Sequence, residues 1–121
     1  MDPNAILIVD DDSNNRELIK RYLMHDGYSL TEAKDGLEAL TLARTIPNLK
    51  VVLMDINMPV MDGITSLNYL RASHPTLPVI AVTASIEEFS TQQCQTWGFN
   101  DLLIKPFTRQ ELQSLIRPFI S

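Results

Sequence analysis

Apolar residues gather along the chain in short unbroken runs: "AILIV" (5–9), "VVLM" (51–54), "VIAV" (79–82) and "LLI" (102–104). Runs without polar alternation fit strands covered on both faces, as in a parallel sheet. The segment "YSLTEA" (28–33) alternates instead, setting Tyr28, Leu30 and Glu32 against Ser29, Thr31 and Ala33, which predicts a strand at a sheet edge. Helical spacing fills the intervals. Leu18, Ile19, Tyr22 and Leu23 repeat after the capping cluster "DDS" until "HDG" (25–27) stops them. Leu37, Leu40 and Ala43 mark a second helix begun by "DG" and ended before Pro47; Ile64, Leu67, Leu70 and Arg71 mark a third, closed by "SHP". Ile86, Phe89 and Trp97 mark a fourth, stopped at Gly98, and Leu112, Leu115 and Ile116 a fifth that Pro118 should end at Arg117.

Strand and helix thus alternate five times with no internal repeat, low-complexity tract or linker, which predicts an α/β fold with right-handed crossovers. Five such units are compatible with a flavodoxin-like (βα)5 architecture: a five-stranded parallel sheet in the order 2-1-3-4-5 with helices on both faces. In that architecture ligands bind beyond the carboxyl ends of the strands, at the switch between strands 1 and 3. The residues that follow each apolar run are the unusual ones. Strand 1 runs into Asp10, Asp11 and Asp12, strand 3 into Asp55, strand 4 into Thr83 and strand 5 into Lys105. One sheet edge would collect all of them.

Like charges at the end of a buried strand need compensation. Two unit charges about 4 Å apart repel by roughly 4 kcal/mol at an effective dielectric near 20, a large fraction of a domain's stability. Oxygen-only ligands that leave room for water favour a hard cation such as Mg²⁺, which also binds phosphate. An EF-hand calcium loop is excluded, because "DDDSNN" lacks its glycine and distal glutamate. Lys105 adds a positive charge and Thr83 a hydroxyl. A dication, a lysine and a hydroxyl aimed at one carboxylate would stabilise a phosphoryl group during and after transfer. Asp55, alone at the end of the central strand, is the candidate nucleophile, and the adjacent aspartates are better placed to hold metal. Asp12 and Ser13 also read as simple helix caps.

Composition narrows the function classes. The chain has 121 residues, 45% hydrophobic and 21% charged, enough for one core and one domain over 1–121. A net charge of −5 gives a nucleic-acid backbone nothing to approach, so no direct nucleic-acid binding is expected. No run approaches a membrane span and "MDPNA" lacks the features of a signal peptide, so membrane insertion is not expected and the cytoplasm is the expected location. Cys94, the single cysteine, reads as a core residue; His25 and His74 read as surface residues.

The motifs "ILIVDDD", "VVLMDINMPVMDG", "VIAVTA" and "LLIKPF", in this order and spacing, resemble the receiver domain of response regulators in two-component signalling, over nearly the whole chain. The resemblance implies that Asp55 accepts a phosphoryl group from a phosphohistidine on a histidine kinase or histidine phosphotransfer protein. It implies that Asp10, Asp11, Asp55 and the Asn57 backbone carbonyl bind Mg²⁺, that Thr83 contacts the phosphoryl group, and that Lys105 pairs with it. It also implies a cis Lys105–Pro106 bond. Such a domain is a phosphoacceptor that catalyses only its own phosphorylation and dephosphorylation. Phosphorylation would move Thr83 inward and remodel the face of helix 4, strand 5 and helix 5, altering contact with a downstream protein. Asn57 and Ser85 match the positions that tune phosphoryl lifetime in the family. Two positions depart from the family's habit. Leu102 stands where an aromatic switch residue is common, and Trp97 where a small residue is, with packing under the helix end expected for the latter. The chain resembles receivers of hybrid kinases and phosphorelays, whether free-standing or part of a larger protein.

Two other classes fit less well. A haloacid-dehalogenase-like phosphatase would use Asp10 and Asp12 as D-x-D, but needs acidic metal ligands beyond the lysine, where only Glu111 remains. A flavin-binding module of the same fold would offer hydroxyls and N–H groups after strand 1 rather than three carboxylates.

Overall fold

A computed structural model describes residues 3–58, 60–84 and 91–120. Along the chain come strand β1 (Ala5–Val9), helix α1 (Ser13–Leu23), β2 (Ser29–Ala33), α2 (Gly36–Ala43), β3 (Leu49–Asp55), α3 (Gly63–Ser73), β4 (Val79–Thr83), α4 (Thr91–Trp97), β5 (Asp101–Ile104) and α5 (Arg109–Ile120). The strands form one parallel sheet in the order β2-β1-β3-β4-β5, so the alternating segment is at an edge as its pattern requires. Ile86, Phe89 and Ser85 lie outside the described residues.

Alternation along each buried strand divides the core in two. Ile6 and Ile8, Val51 and Leu53, Ile80 and Val82, and Leu103 face Ile19, Leu23, Leu112 and Ile116 of α1 and α5. Leu7 and Val9, Val52 and Met54, and Val79 and Ala81 face Ala39, Leu67, Leu70 and Cys94 of α2, α3 and α4. Three helices begin on an aspartate that accepts from their own first-turn amides: Asp12 from Asn14, Asp35 from Glu38 and Asp62 from Thr65. Helix α5 starts with a reciprocal pair in which Glu111 N–H donates to Thr108 Oγ1 and Thr108 N–H to Glu111 Oε1, both at 3.1 Å.

Two helices depart from the sequence pattern. In α2 the buried positions are Gly36, Ala39 and Ala43, while Leu37 is 51% exposed, so the inward face is turned by small residues rather than led by leucines. Gly36 sets that rotation. Its N–H donates to Met61 O, its own carbonyl accepts from the buried Ser66 Oγ at 2.9 Å, and a Cβ there would fall 2.6 Å from Met61 O. Helix α5 runs through Pro118 to Ile120. A proline in the last turn forfeits one hydrogen bond, and Phe119 and Ile120 beyond it still pack on the core.

Candidate functional site

The carboxyl ends of β1, β3, β4 and β5 meet at one edge of the sheet. Asp10 follows β1, Asp55 is the last residue of β3, Thr83 the last of β4, and Lys105 follows β5. One carboxylate oxygen from each of Asp10, Asp11 and Asp55 lies within 4.8 Å of the others. Asp10 and Asp55 are 2% and 6% exposed, whereas Asp11 faces solvent. Lys105 Nζ stands 3.0 Å from Asp10 Oδ2 and 3.7 Å from Asp55 Oδ2. The two buried carboxylates therefore share one ammonium, and the exposed Asp11 adds a third negative charge beside them.

Every polar atom of Asp10 is engaged. Its N–H donates to Ala33 O, Oδ1 accepts from Asp12 N–H at 2.9 Å, Oδ2 accepts from Lys105, and its carbonyl accepts from Arg16 Nη1 at 2.6 Å. Asp55 is held less completely. Burial and the neighbouring Asp10 carboxylate push its pKa up to about 6, against the pull of Lys105 and of a hydrogen bond from the Asn57 backbone. An acid destabilised as an anion by its surroundings gains from a cation. Two buried carboxylates and one open to water, all oxygen donors with a net surplus of negative charge, suit a hard divalent ion that keeps part of its hydration shell.

Glycine brings the next segment against this cluster. Gly63 N–H donates to Ile56 O at 2.8 Å, and a Cβ at Gly63 would run into the Asp55 carbonyl, so only the bare backbone lets α3 start this close to the end of β3. The intervening turn carries Asn57, which is exposed, and Val60, which is 79% exposed with φ of 68°. Thr83 is buried, and its carbonyl accepts from the Lys105 N–H at 2.8 Å. The Lys105–Pro106 peptide is cis.

The remaining candidates fall out as follows. Asp12 turns away from the acidic cluster to cap α1, with Oδ1 accepting from Asn14 N–H at 2.8 Å, which removes the second acid of a D-x-D pair. Leu102 is half-buried in β5 and packs against the α2–α4 side of the core, as does Trp97. Cys94 is buried, and burial pushes its thiol up. His25 is exposed, while His74 is half-buried, with Nδ1 2.9 Å from Ser73 Oγ. A groove of about 510 Å³ runs along the outside of β5 and α5, lined in part by Leu102, Ile104, Thr108, Glu111 and Leu115. Sequence reasoning missed Arg16. A cation one turn into the helix that starts at the aspartate triplet was the available signal. Among the described residues no helix is long and apolar enough to cross a membrane.

Comparison with known proteins agrees with this geometry. The family model "Response regulator receiver domain" matches residues 6–117. The transcriptional regulatory protein SrrA of Staphylococcus aureus is 38% identical over 109 residues, which are 90% of this chain and 44% of SrrA. The chain spans less than half the length of the curated relatives it matches. Among solved structures, the receiver domain of sensor histidine kinase PA1611 from Pseudomonas aeruginosa PAO1, with a magnesium ion coordinated in its active-site cleft, superposes with a TM-score of 0.88. It is 34% identical, with 98% of each chain covered. The receiver domain of the Francisella response regulator 1452 gives a TM-score of 0.87 at 34% identity, covering 98% of this chain and 97% of that one.

Proposed function

The chain belongs to the response regulator receiver domain family, and on that premise we propose that Asp55 is a phosphoacceptor that takes its phosphoryl group from a phosphohistidine on a histidine kinase or histidine phosphotransfer protein. The observation that carries this reading is the convergence of Asp10, Asp11 and Asp55 around one lysine at the carboxyl edge of the sheet. An oxygen of the Asp55 carboxylate attacks phosphorus in line with the P–N bond; that bond breaks, and its electron pair and a proton go to the departing imidazole. Mg²⁺ held by Asp10, Asp11, Asp55 and the Asn57 carbonyl would supply the positive charge that offsets the equatorial oxygens. Lys105 adds a second positive charge from the β5 side, and the Thr83 hydroxyl a donor from β4.

Before phosphorylation the Lys105 ammonium is shared between Asp10 and Asp55. Converting Asp55 to an acyl phosphate adds about one negative charge and new acceptor oxygens, which draws Lys105 and Thr83 toward the phosphoryl group. Thr83 ends β4 and Lys105 follows β5 directly, so the change is delivered to the face of α4, β5 and α5, where a downstream protein reads it. Leu102 sits on that face without an aromatic ring or polar tip, and reports the change through packing alone. The domain works in the cytoplasm, and its chemistry is confined to its own Asp55.

Incubation with acetyl phosphate and Mg²⁺, followed by intact-mass measurement, tests the assignment. One phosphoryl increment is expected on the wild-type protein, none in the presence of a chelator, and none on Asp55→Asn. Retention of the increment by Asp55→Asn with loss in Asp10→Asn would overturn it in favour of a D-x-D phosphatase.

A further inference from the structure

The Asp10 carbonyl is bound by a side chain that no part of the phosphotransfer reading uses. Arg16 Nη1 donates to it at 2.6 Å, while Arg16 Nε donates to Glu32 Oε1 at 3.0 Å. Glu32 belongs to β2 and is opposite Ile8 in the β1–β2 register, next to Ala33, whose carbonyl accepts the Asp10 N–H. Lys20, one turn further along α1, donates to the other Glu32 oxygen at 3.1 Å. Helix α1 and the edge strand are thus tied together across the end of β1, and Asp10 is gripped at its N–H and its carbonyl.

A surface ion pair alone would be worth little. Arg16 differs in being mostly covered, with its side chain 17% exposed, and in spending one arm of its fork on a main-chain carbonyl rather than on the acid. That carbonyl belongs to the residue whose side chain enters the acidic cluster, and the next residue, Asp11, supplies the exposed member of it. Fixing this peptide fixes the directions in which both carboxylates leave the backbone.

We propose that Arg16, held in place by Glu32, is a positioning residue that pre-organises Asp10 and Asp11 for a divalent cation. The proposal rests on the cation-binding part of the reading above. Its sign is informative, because a guanidinium this close to a cation site opposes the cation by Coulomb repulsion. If Arg16 acted through charge alone, removing it would tighten Mg²⁺ binding; if it acts through geometry, removing it weakens binding.

Calorimetric titration of the folded, unphosphorylated protein with Mg²⁺ decides between these. Arg16→Met keeps the apolar stem, and its Kd for Mg²⁺ should rise about tenfold, the scale of lost outer-shell support at metal sites. Arg16→Lys keeps the opposing charge but cannot fork between Asp10 O and Glu32, and should show a rise at least as large. Glu32→Gln should weaken binding on its own and add nothing in the Arg16→Met background, since it acts through Arg16. A Kd that is unchanged or lower in Arg16→Met, or full additivity of the two substitutions, overturns the inference while leaving the cation site intact. A wild-type protein that binds no Mg²⁺ overturns both. Circular dichroism of each variant at the titration temperature ensures that only folded protein is compared.

Discussion

Lys105 Nζ donates to Asp10 Oδ2 across 3.0 Å, joining the exit of β5 to the exit of β1 over a sequence separation of 95 residues. The same ammonium is 3.7 Å from Asp55, an ion pair without a hydrogen bond. Lysine therefore neutralises the acid that would hold metal more fully than the acid that would carry phosphorus. Asp55 keeps a lone pair free for chemistry.

Replacing Lys105 with methionine strips two buried carboxylates of their shared counter-charge. The metal-free protein should lose about 2–4 kcal/mol at neutral pH, much of it regained in Mg²⁺, while its Mg²⁺ affinity rises severalfold because a competing positive charge is gone. Urea unfolding in chelator and in Mg²⁺ measures both. Equal destabilisation in the two media would mean that the lysine does not serve the acidic cluster.

The raised pKa of Asp55 makes a prediction with a definite sign. Its folded value of about 6 lies above the ordinary carboxylate range near 4, so between those values the native state holds the proton more tightly than the unfolded chain does. Ionisation of Asp55 therefore costs stability, a cost absent below about pH 4 and complete above about pH 6. In chelator, Asp55→Asn should be more stable than the wild type by about 1–2 kcal/mol at pH 7.5, with the gap closing as the pH falls to 4. A gap that stays constant across that range would assign the effect to packing instead.

Arg71 closes the far end of the molecule. Its guanidinium donates to Gly98 O, His74 O, Leu77 O and Asn100 Oδ1, binding the end of α3 to the turn between α4 and β5 with no acid involved. Arg71→Met should cost about 1–2 kcal/mol, since several partly buried acceptors lose a donor, and Arg71→Lys should recover little because an ammonium cannot reach them as a planar fork. Amide exchange should quicken at Phe99 and Asn100, whose N–H groups bond Cys94 O and Val79 O. Full rescue by lysine would contradict the fork geometry.

How much of this could be read from the chain depended on whether the information was local. The four continuous apolar runs located β1, β3, β4 and β5, because a strand buried on both faces has no tolerance for polar residues, and the alternating run located the edge strand β2. Asp10, Asp11, Asp55, Thr83 and Lys105 came out at one edge because parallel strands all terminate there. The inward face of α2 was not legible. Leucine outweighs glycine in a hydrophobic pattern, yet Gly36 is inside and Leu37 outside because a backbone contact with Met61, distant in sequence, decides the rotation. Pro118 lies inside α5 at the cost of one hydrogen bond in its last turn, while Phe119 and Ile120 beyond it pack on the core, a tertiary contact that local sequence does not carry. The Arg16 contact belongs to the same class as Gly36, depending on β2 arriving beside α1.

The amino ends of α1, α2 and α3 ordinarily would each offer a seat for a phosphate-like anion. Here Asp12, Asp35 and Asp62 each place a carboxylate at that end, accepting from one first-turn amide. An anion held beside Asp55 would therefore depend on the Lys105 ammonium and a bound cation, not on the mouths of these three helices.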